Sequence, residues 1–320
     1  MPSEFDLIQD YFNWQQAFDS VQIGIGDDAA VLNLPNNKKQ QLVVSVDTFI
    51  EGVHFPENTP ADAIGHKALA VNLSDLAAMG AKPAWFTLAL TLPEPNLTWL
   101  HDFSKGLKKL ANQHKITLIG GDTTRGKLSI TIQVMGFVER GKALLRSSAK
   151  LKDKIYVSGN LGDAAIGLAI LQNCLEPLRI SQQANQCCQN ALNYPQPQNF
   201  LSNIIQPYAN ACLDISDGLL QDLGHILKAS NLGACLNLDN IPLSDSALES
   251  GRKDALAYAL TGGDDYQLLF TISEKNESQL LDDMAKTHYK ISCIGEIDSK
   301  SGKITDHLGH LINVKGYQHF

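Results

Sequence analysis

Runs of strand character alternate with runs of helix character along the first half of this chain, and that alternation is the strongest constraint on its fold. Residues 41–47 (QLVVSVD), 85–92 (WFTLALTL), 128–137 (LSITIQVMGF) and 154–158 (KIYVS) are β-branched or alternate between apolar and polar. Between them, residues 61–79 carry the clearest helical pattern. Residues 97–112 carry a second, amphipathic one, with Thr98 as the expected N-cap. Such alternation predicts an α/β or α+β fold. At 320 residues the chain exceeds one minimal core, so two domains are expected. A polar, basic stretch at 146–153 (RSSAKLKD) precedes a new strand, which sets the boundary between domains 1–149 and 150–320. The second half opens with SGNLGD at 158–163, continues as a helix to about Gln172, and has another strand-like run at 267–272. Residues 181–200, polar and containing Pro195 and Pro197, read as a surface connection with some helix.

Composition excludes several classes of function. The chain is 44% hydrophobic and 19% charged, as in an ordinary soluble protein. Its net charge of −8 and lack of a basic run speak against nucleic-acid or anionic-membrane partners. Residues 1–14 carry Glu4, Asp6 and Asp10 without a basic segment leading into an apolar stretch, so no secretory signal is expected. Apolar runs such as 84–92 fall short of the roughly 20 residues that span a bilayer. The expected location is the cytoplasm. The six cysteines show no CxxC spacing and read as reduced, mostly packed thiols rather than a zinc site.

The acidic excess is concentrated in short motifs: GDD at 26–28, SVDT at 45–48, NLSD at 72–75, GGDTT at 120–124, DISDG at 214–218 and GGDD at 262–265. Any one of these reads as a turn, with aspartate bonding nearby backbone and glycine supplying φ > 0. If the clusters converge, their charges repel and raise one another's pKa unless cations are shared among them. Magnesium, a hard cation that takes carboxylate and phosphate oxygens, is the natural candidate.

Asp75 falls on a helical wheel with Asn72, Ile64, Ala68, Val71 and Met79, an apolar face on which a carboxylate needs a partner. That partner is either a side chain such as Lys67 or a metal. Asp214 and Asp217 precede an apolar-periodic helix ending near Ser230, and either cap it or hold a phosphate–magnesium group at its N-terminus. There is no GxxxxGK[ST] and no HRD/DFG pair, and GIGDDA at 24–29 lacks the third glycine of a dinucleotide loop.

Taken together, GIGDDAA at 24–30, SVDTFIEGVHF at 45–55, KALAVNLSDLAAMGAKPAW at 67–85, GGDTTRG at 120–126 and DISDGL at 214–219 resemble the thiamine-monophosphate kinase family. GGDDYQL at 262–268 and KGYQHF at 315–320 extend the likeness over essentially the whole chain. DxSDG is shared with the wider superfamily of aminoimidazole ribonucleotide synthetase, selenophosphate synthetase and a hydrogenase maturation protein. The resemblance implies ATP-dependent phosphorylation of thiamine monophosphate to thiamine diphosphate. It also implies the superfamily's two-domain fold, with an N-terminal α/β domain that binds Mg2+ and ATP and pairs into a homodimer, and a C-terminal domain completing the site.

Matched residue by residue, the family's magnesium ligands fall on Asp28, Ser45, Asp47, Asp75, Asp122, Asp214 and Asp217, implying several ions. Its ATP contacts fall on Gly121, Asp122, Arg146 and Ser216, and its thiamine-phosphate contacts on His54, Asp264 and Tyr317. Read without the family, Arg146 is as readily a solvated linker charge, His54 a core or surface histidine and Tyr317 a packing residue. The chain departs from the pattern at Val46, where threonine is common, and at Asp264 and Gln267, where glutamate is common. The acceptor is itself a phosphate, so no strong general base is needed, and direct in-line transfer without a phosphoenzyme is expected. The alternatives are another ATP-dependent enzyme of the superfamily or a non-catalytic nucleotide- and metal-binding module.

Overall fold

The computed structural model describes residues 8, 19–175 and 180–312. Two six-stranded sheets organise it. The first is built from β1 (Val21–Ile23), β2 (Ala30–Asn33), β3 (Gln40–Ile50), β4 (Lys82–Leu92), β5 (Thr117–Arg125) and β6 (Ser129–Glu139), in the order β1-β2-β3-β6-β4-β5. It is antiparallel except for the β4–β5 edge pair. A 3-10 turn at Arg146–Ser148 leads into the second sheet. Its strands are β7 (Lys154–Ser158), β8 (Ala209–Asp214), β9 (Gly233–Leu236), β10 (Leu268–Ile272), β11 (Ile291–Asp298) and β12 (Ile304–Asp306), in the order β12-β9-β11-β7-β10-β8. The elements are thus the expected mixed α/β set.

The first two helices of the described residues are α1 (Ala61–Ala78) and α2 (Leu97–His114). α2 buries Phe103, Gly106, Leu107, Leu110, Ala111 and His114, the stripe its amphipathic pattern predicts. Its cap is not Thr98 but Asn96, two residues earlier: the Asn96 side chain accepts from Trp99 N at 3.1 Å, because the helix begins at Leu97 and Thr98 already lies in its first turn. α1 goes beyond a one-faced pattern, since all of its residues except Ala61, Asp62 and Asp75 are buried. It is enclosed by α2, by the first sheet and by the second half of the chain. Paired glycines make this possible. A Cβ on Gly65 would stand 2.1 Å from Phe103 O, and one on Gly106 would stand 1.9 Å from Asp62 O, so the two backbones touch where a side chain would hold them apart.

The second half supplies α3 (Asp163–Leu171), α4 (Gln182–Asn193), α5 (Asn199–Ile205), α6 (Leu219–Ser230), α7 (Asp245–Leu248), α8 (Arg252–Thr261) and α9 (Glu274–Met284). Residues 181–200, expected as a surface connection with some helix, contain the three-turn helix α4, which buries Ala184, Cys188 and Leu192, the first two in a core shared with α3. Ser181 caps it by accepting from Ala184 N, and its glutamine- and asparagine-rich outer face hides a narrow apolar stripe. α5 then docks on α1: Asn199 Nδ2 donates to Leu73 O at 2.8 Å and Ser202 Oγ to Ala77 O at 2.5 Å. Ala77 and Ala78 of α1 share a core with Tyr156, Leu201 and Phe270. The two halves are therefore packed through α1, which also carries Asp75. No helix among the described residues is long and apolar enough to cross a membrane.

Candidate active site

Alternation along β3 puts Val43, Ser45, Asp47 and Phe49 on the face that looks toward α1, and Val46, Thr48 and Ile50 on the opposite, exposed face. Ser45 and Asp47 thereby approach Asp75, and β8, which also packs against α1, ends at Asp214. The loop before β2 contributes Asp28. Asp28, Asp75 and Asp214 each present a carboxylate oxygen within 4.8 Å of the others. Ser45 Oγ donates to Asp75 Oδ2 at 2.5 Å and also lies 3.1 Å from the Asp28 carbonyl oxygen.

This much negative charge is poorly compensated from within the protein. Burial, then Asp47, Asp214 and Asp28, push the Asp75 carboxyl well above the usual range. Burial and then Asp28 raise Asp214, and burial raises Asp28 although Arg146 opposes it. Asp27 is pushed up to about 7 by burial and then by Asp28, against the pull of Arg146. Among the described residues one cation pairs with the cluster: the Arg146 guanidinium meets Asp28 through Nη2, and its Nε stands 4.0 Å from Asp27. Asp28 Oδ2 is buried and has no hydrogen-bond partner among the described residues. An orphaned buried carboxylate oxygen beside two further raised carboxylates is the environment a divalent oxygen-seeking cation satisfies, so the donor set fits Mg2+.

The structure narrows two readings that the residues leave open, and gives Asp75 a side-chain partner in Ser45. Lys67 does not partner Asp75; its ammonium lies 2.8 Å from Asp264 Oδ1. Asp214 and Asp217 do not cap α6, whose N-cap Gly218 has no side-chain cap. Instead Asp222, inside the first turn, accepts from the backbone N–H of Asp217 at 3.1 Å and of Gly218 at 3.0 Å. That leaves Asp214 directed into the cluster. Asp217 accepts from Gln221 Nε2 at 3.0 Å and forms a second acidic group with Asp222 and His225, ligand atoms again within 4.8 Å. Arg146 is not a solvated linker charge either; its carbonyl accepts from Ser230 Oγ, fixing the turn against α6.

The other matched residues are more dispersed. His54 Nδ1 accepts from Ile50 N at 3.1 Å, and the ring stacks on Phe49 at the rim beyond β3. Ser216 lies between Asp214 and Asp217, and its carbonyl accepts from Asp264 N. Gly121 and Asp122 lie on edge strand β5, every residue of which is exposed. A Cβ on Gly121 would stand 1.8 Å from Leu88 O, so glycine is required for that strand pairing. Asp122 is not brought to the carboxylate trio. Across the register Asp47–Ile132–Leu88–Gly121 it stands three strand spacings, about 14 Å along the sheet, from the Asp47 row. Val46 points away from the trio and is 56% exposed, so the hydroxyl it lacks would not have faced these carboxylates. Gln267 Oε1 accepts from Ser158 Oγ at 2.7 Å, bracing the start of β10 against β7. Tyr317 lies outside the described residues.

Asp27, Asp222, His225 and Tyr266 were not singled out by sequence reasoning. The doubled aspartate at 27–28 and the acidic side chain in DISDGLLQDL were visible signals, but their partners are distant in the chain.

The AIR synthase related protein N-terminal domain matches residues 26–138, and the AIR synthase related protein C-terminal domain matches residues 152–307. The thiamine-monophosphate kinase of Escherichia coli (strain K12) is 46% identical over 325 residues, covering 99% of this chain and 98% of that protein. The crystal structure of thiamine-monophosphate kinase from Stenotrophomonas maltophilia K279a superposes with a TM-score of 0.81 at 45% identity, over 92% of this chain and 93% of that one. A structure described as AaThiL complexed with AMPPCP and TMP superposes with a TM-score of 0.82 at 32% identity, over 92% of each chain.

Proposed function

The chain belongs to the AIR synthase related family and, within it, to the thiamine-monophosphate kinases, and on that premise we propose how its own residues carry out the ATP-dependent phosphorylation of thiamine monophosphate. The observation that carries the reading is the trio of raised carboxylates, Asp28, Asp75 and Asp214, with one oxygen left orphaned. These three, with Ser45 and Asp47 beside them, would hold Mg2+, and Asp217 and Asp122 would supply further ligands. When bound, Mg2+ supplies charge neutralisation for the phosphates that meet in an in-line, loose transfer.

The protein's part is positioning. Arg146 offers a planar fork of donors at the edge of the trio, suited to phosphate oxygens once a cation takes over its pairing with Asp28. Gly121, Asp122 and Ser216 are the proposed ATP contacts, and His54, Asp264 and Tyr317 the proposed thiamine-phosphate contacts. Thiamine monophosphate brings its own phosphate oxygen as nucleophile, so the site needs no strong base and transfer is direct.

The proposed assembly is a homodimer through the outer face of the first sheet. Val46, Ile50 and Trp85 on that face, and Leu118 and Ile119 on edge strand β5, are 39–56% exposed, an apolar surface that a second copy would cover. Because Asp122 lies on that edge strand, far from the trio of its own protomer, dimerisation also gives it a route to a site. In this division of labour the domain 1–149 holds metal, ATP and the dimer contact, and 150–320 completes the substrate side. The proposed location is the cytoplasm, supported by six free cysteines.

The test uses γ-labelled ATP, Mg2+ and thiamine monophosphate. Label should pass into thiamine diphosphate in step with ADP, with none held on the protein. A labelled protein intermediate that turns over as fast as product forms would overturn direct transfer.

A further inference from the structure

Lys67 is a buried lysine, only 3% exposed, whose ammonium crosses from α1 to the 263–266 loop of the second half. That loop is tightly constrained. Asp264 and Tyr266 both hold left-handed backbone, at φ 68° and 48°. Their N–H groups donate to Ser216 O at 2.9 Å and Ile215 O at 2.8 Å. Strained backbone of this kind persists only where the surroundings over-determine it.

The side chain of Asp264 is oriented with equal care. Lys67 Nζ stands 2.8 Å from Oδ1, and Tyr266 OH donates to the same oxygen at 3.1 Å. Oδ2 accepts no hydrogen bond among the described residues, and the side chain is 25% exposed, so its open side is Oδ2. A carboxylate matched by a buried ammonium carries little net charge outward. What it presents is one directed acceptor.

We propose that Lys67 is a positioning residue which makes Asp264 a charge-matched acceptor for the exocyclic amino group of the substrate's pyrimidine, so that this part of the site selects by hydrogen bond and not by the thiazolium charge. The proposal rests on the assignment of Asp264 to the thiamine monophosphate side. It has a consequence that depends on Lys67 specifically. In Asp264→Asn, Lys67 and Tyr266 both donate to the inner position and must draw the amide oxygen there, turning the NH2 group outward. A donor then faces the amino group and instead complements an oxo group.

The experiment compares kcat/KM for thiamine monophosphate with that for the analogue bearing an oxo group in place of the pyrimidine amino group, in wild type, D264N, K67M and K67M/D264N. Wild type is expected to prefer the amino substrate by at least about tenfold, since a site built for one hydrogen-bond pattern rejects its reverse. D264N inverts the preference toward the oxo analogue, K67M reduces it to within about threefold, and the double variant removes the inversion. KM for ATP, expected within about twofold throughout, reports that each variant is folded.

A D264N enzyme that still prefers the amino substrate overturns the proposal, as does a K67M enzyme with wild-type preference. If K67M does not fold, the D264N inversion alone decides. Wild type that turns over neither compound would overturn the kinase reading itself, a distinct outcome.

Discussion

Asp75→Asn should make the metal-free protein more stable while disabling it. Asp28, Asp75 and Asp214 lie within 4.8 Å of one another, and at an effective dielectric near 20 two full charges at that distance repel by about 3 kcal/mol. Burial first, and then the neighbouring charges of Asp47, Asp214 and Asp28, hold the Asp75 pKa well above the ordinary value. The folded state therefore binds more protons than the unfolded chain, so stability falls as pH rises from about 4 through the raised pKa values. Asparagine removes one of the charges yet keeps an oxygen to accept from Ser45 Oγ. In EDTA at pH 8 the variant should gain about 1–3 kcal/mol, a rise of roughly 2–10 °C in Tm, and the gain should shrink toward pH 5. Magnesium should reverse the order. Wild type gains about 2.7 kcal/mol at a hundredfold excess over Kd, while D75N gains little and loses product formation by about a thousandfold or more. Scanning calorimetry with and without Mg2+ at both pH values reads all of this. A D75N protein that is less stable than wild type in EDTA at pH 8, or that keeps the full Mg2+ shift, refutes the reasoning.

Three further outcomes follow from other parts of the molecule. Gly65→Ala places a Cβ 2.1 Å from Phe103 O and should cost about 3 kcal/mol as α1 and α2 separate; an unchanged urea midpoint would contradict the backbone contact. His114, stacked on Phe200 and only 7% exposed, has its pKa lowered to about 4 by burial and then by His66. The unfolded chain binds that proton first as pH falls, so about 3 kcal/mol of stability present above pH 6.5 is lost toward pH 4; His114→Phe should flatten this limb of the pH–stability curve, and an unaltered slope speaks against it. The L118D/I119D double variant should sediment as a monomer, whereas a dimer that persists would place the contact elsewhere.

Much of the architecture was legible because period decides face. The alternation in residues 41–47 sends Ser45 and Asp47 to one side of β3, and the stripe on α2 matches its pattern. The pattern of α1 was less informative, because a helix enclosed on every side has no polar face to orient it. In residues 181–200 the expected helix is present, but its buried stripe of Ala184, Cys188 and Leu192 was not legible beneath a polar composition with two prolines. Among the site residues, the aspartate motifs marked where acids lie but not which converge. Asp28, Asp75 and Asp214 meet only because α1 is packed between the first sheet and β8, a long-range fact with no local signature. Lys67 was noticed as a possible partner for Asp75, eight residues along its own helix, yet its real partner Asp264 is almost two hundred residues away. Asp122 was matched by motif alone, and its place on an exposed edge strand follows from sheet order, which spacing does not encode.

The central claim is that Asp28, Asp75 and Asp214 hold the metal that serves phosphoryl transfer. It is tested most directly by crystallising the protein with a non-hydrolysable ATP analogue, thiamine monophosphate and Mn2+ in place of Mg2+, and mapping anomalous scattering. The account predicts manganese peaks within ligand distance of all three carboxylates, with Arg146 moved from Asp28 toward a phosphate. Nucleotide and thiamine monophosphate bound with no metal at the trio, and Arg146 still paired with Asp28, would contradict it.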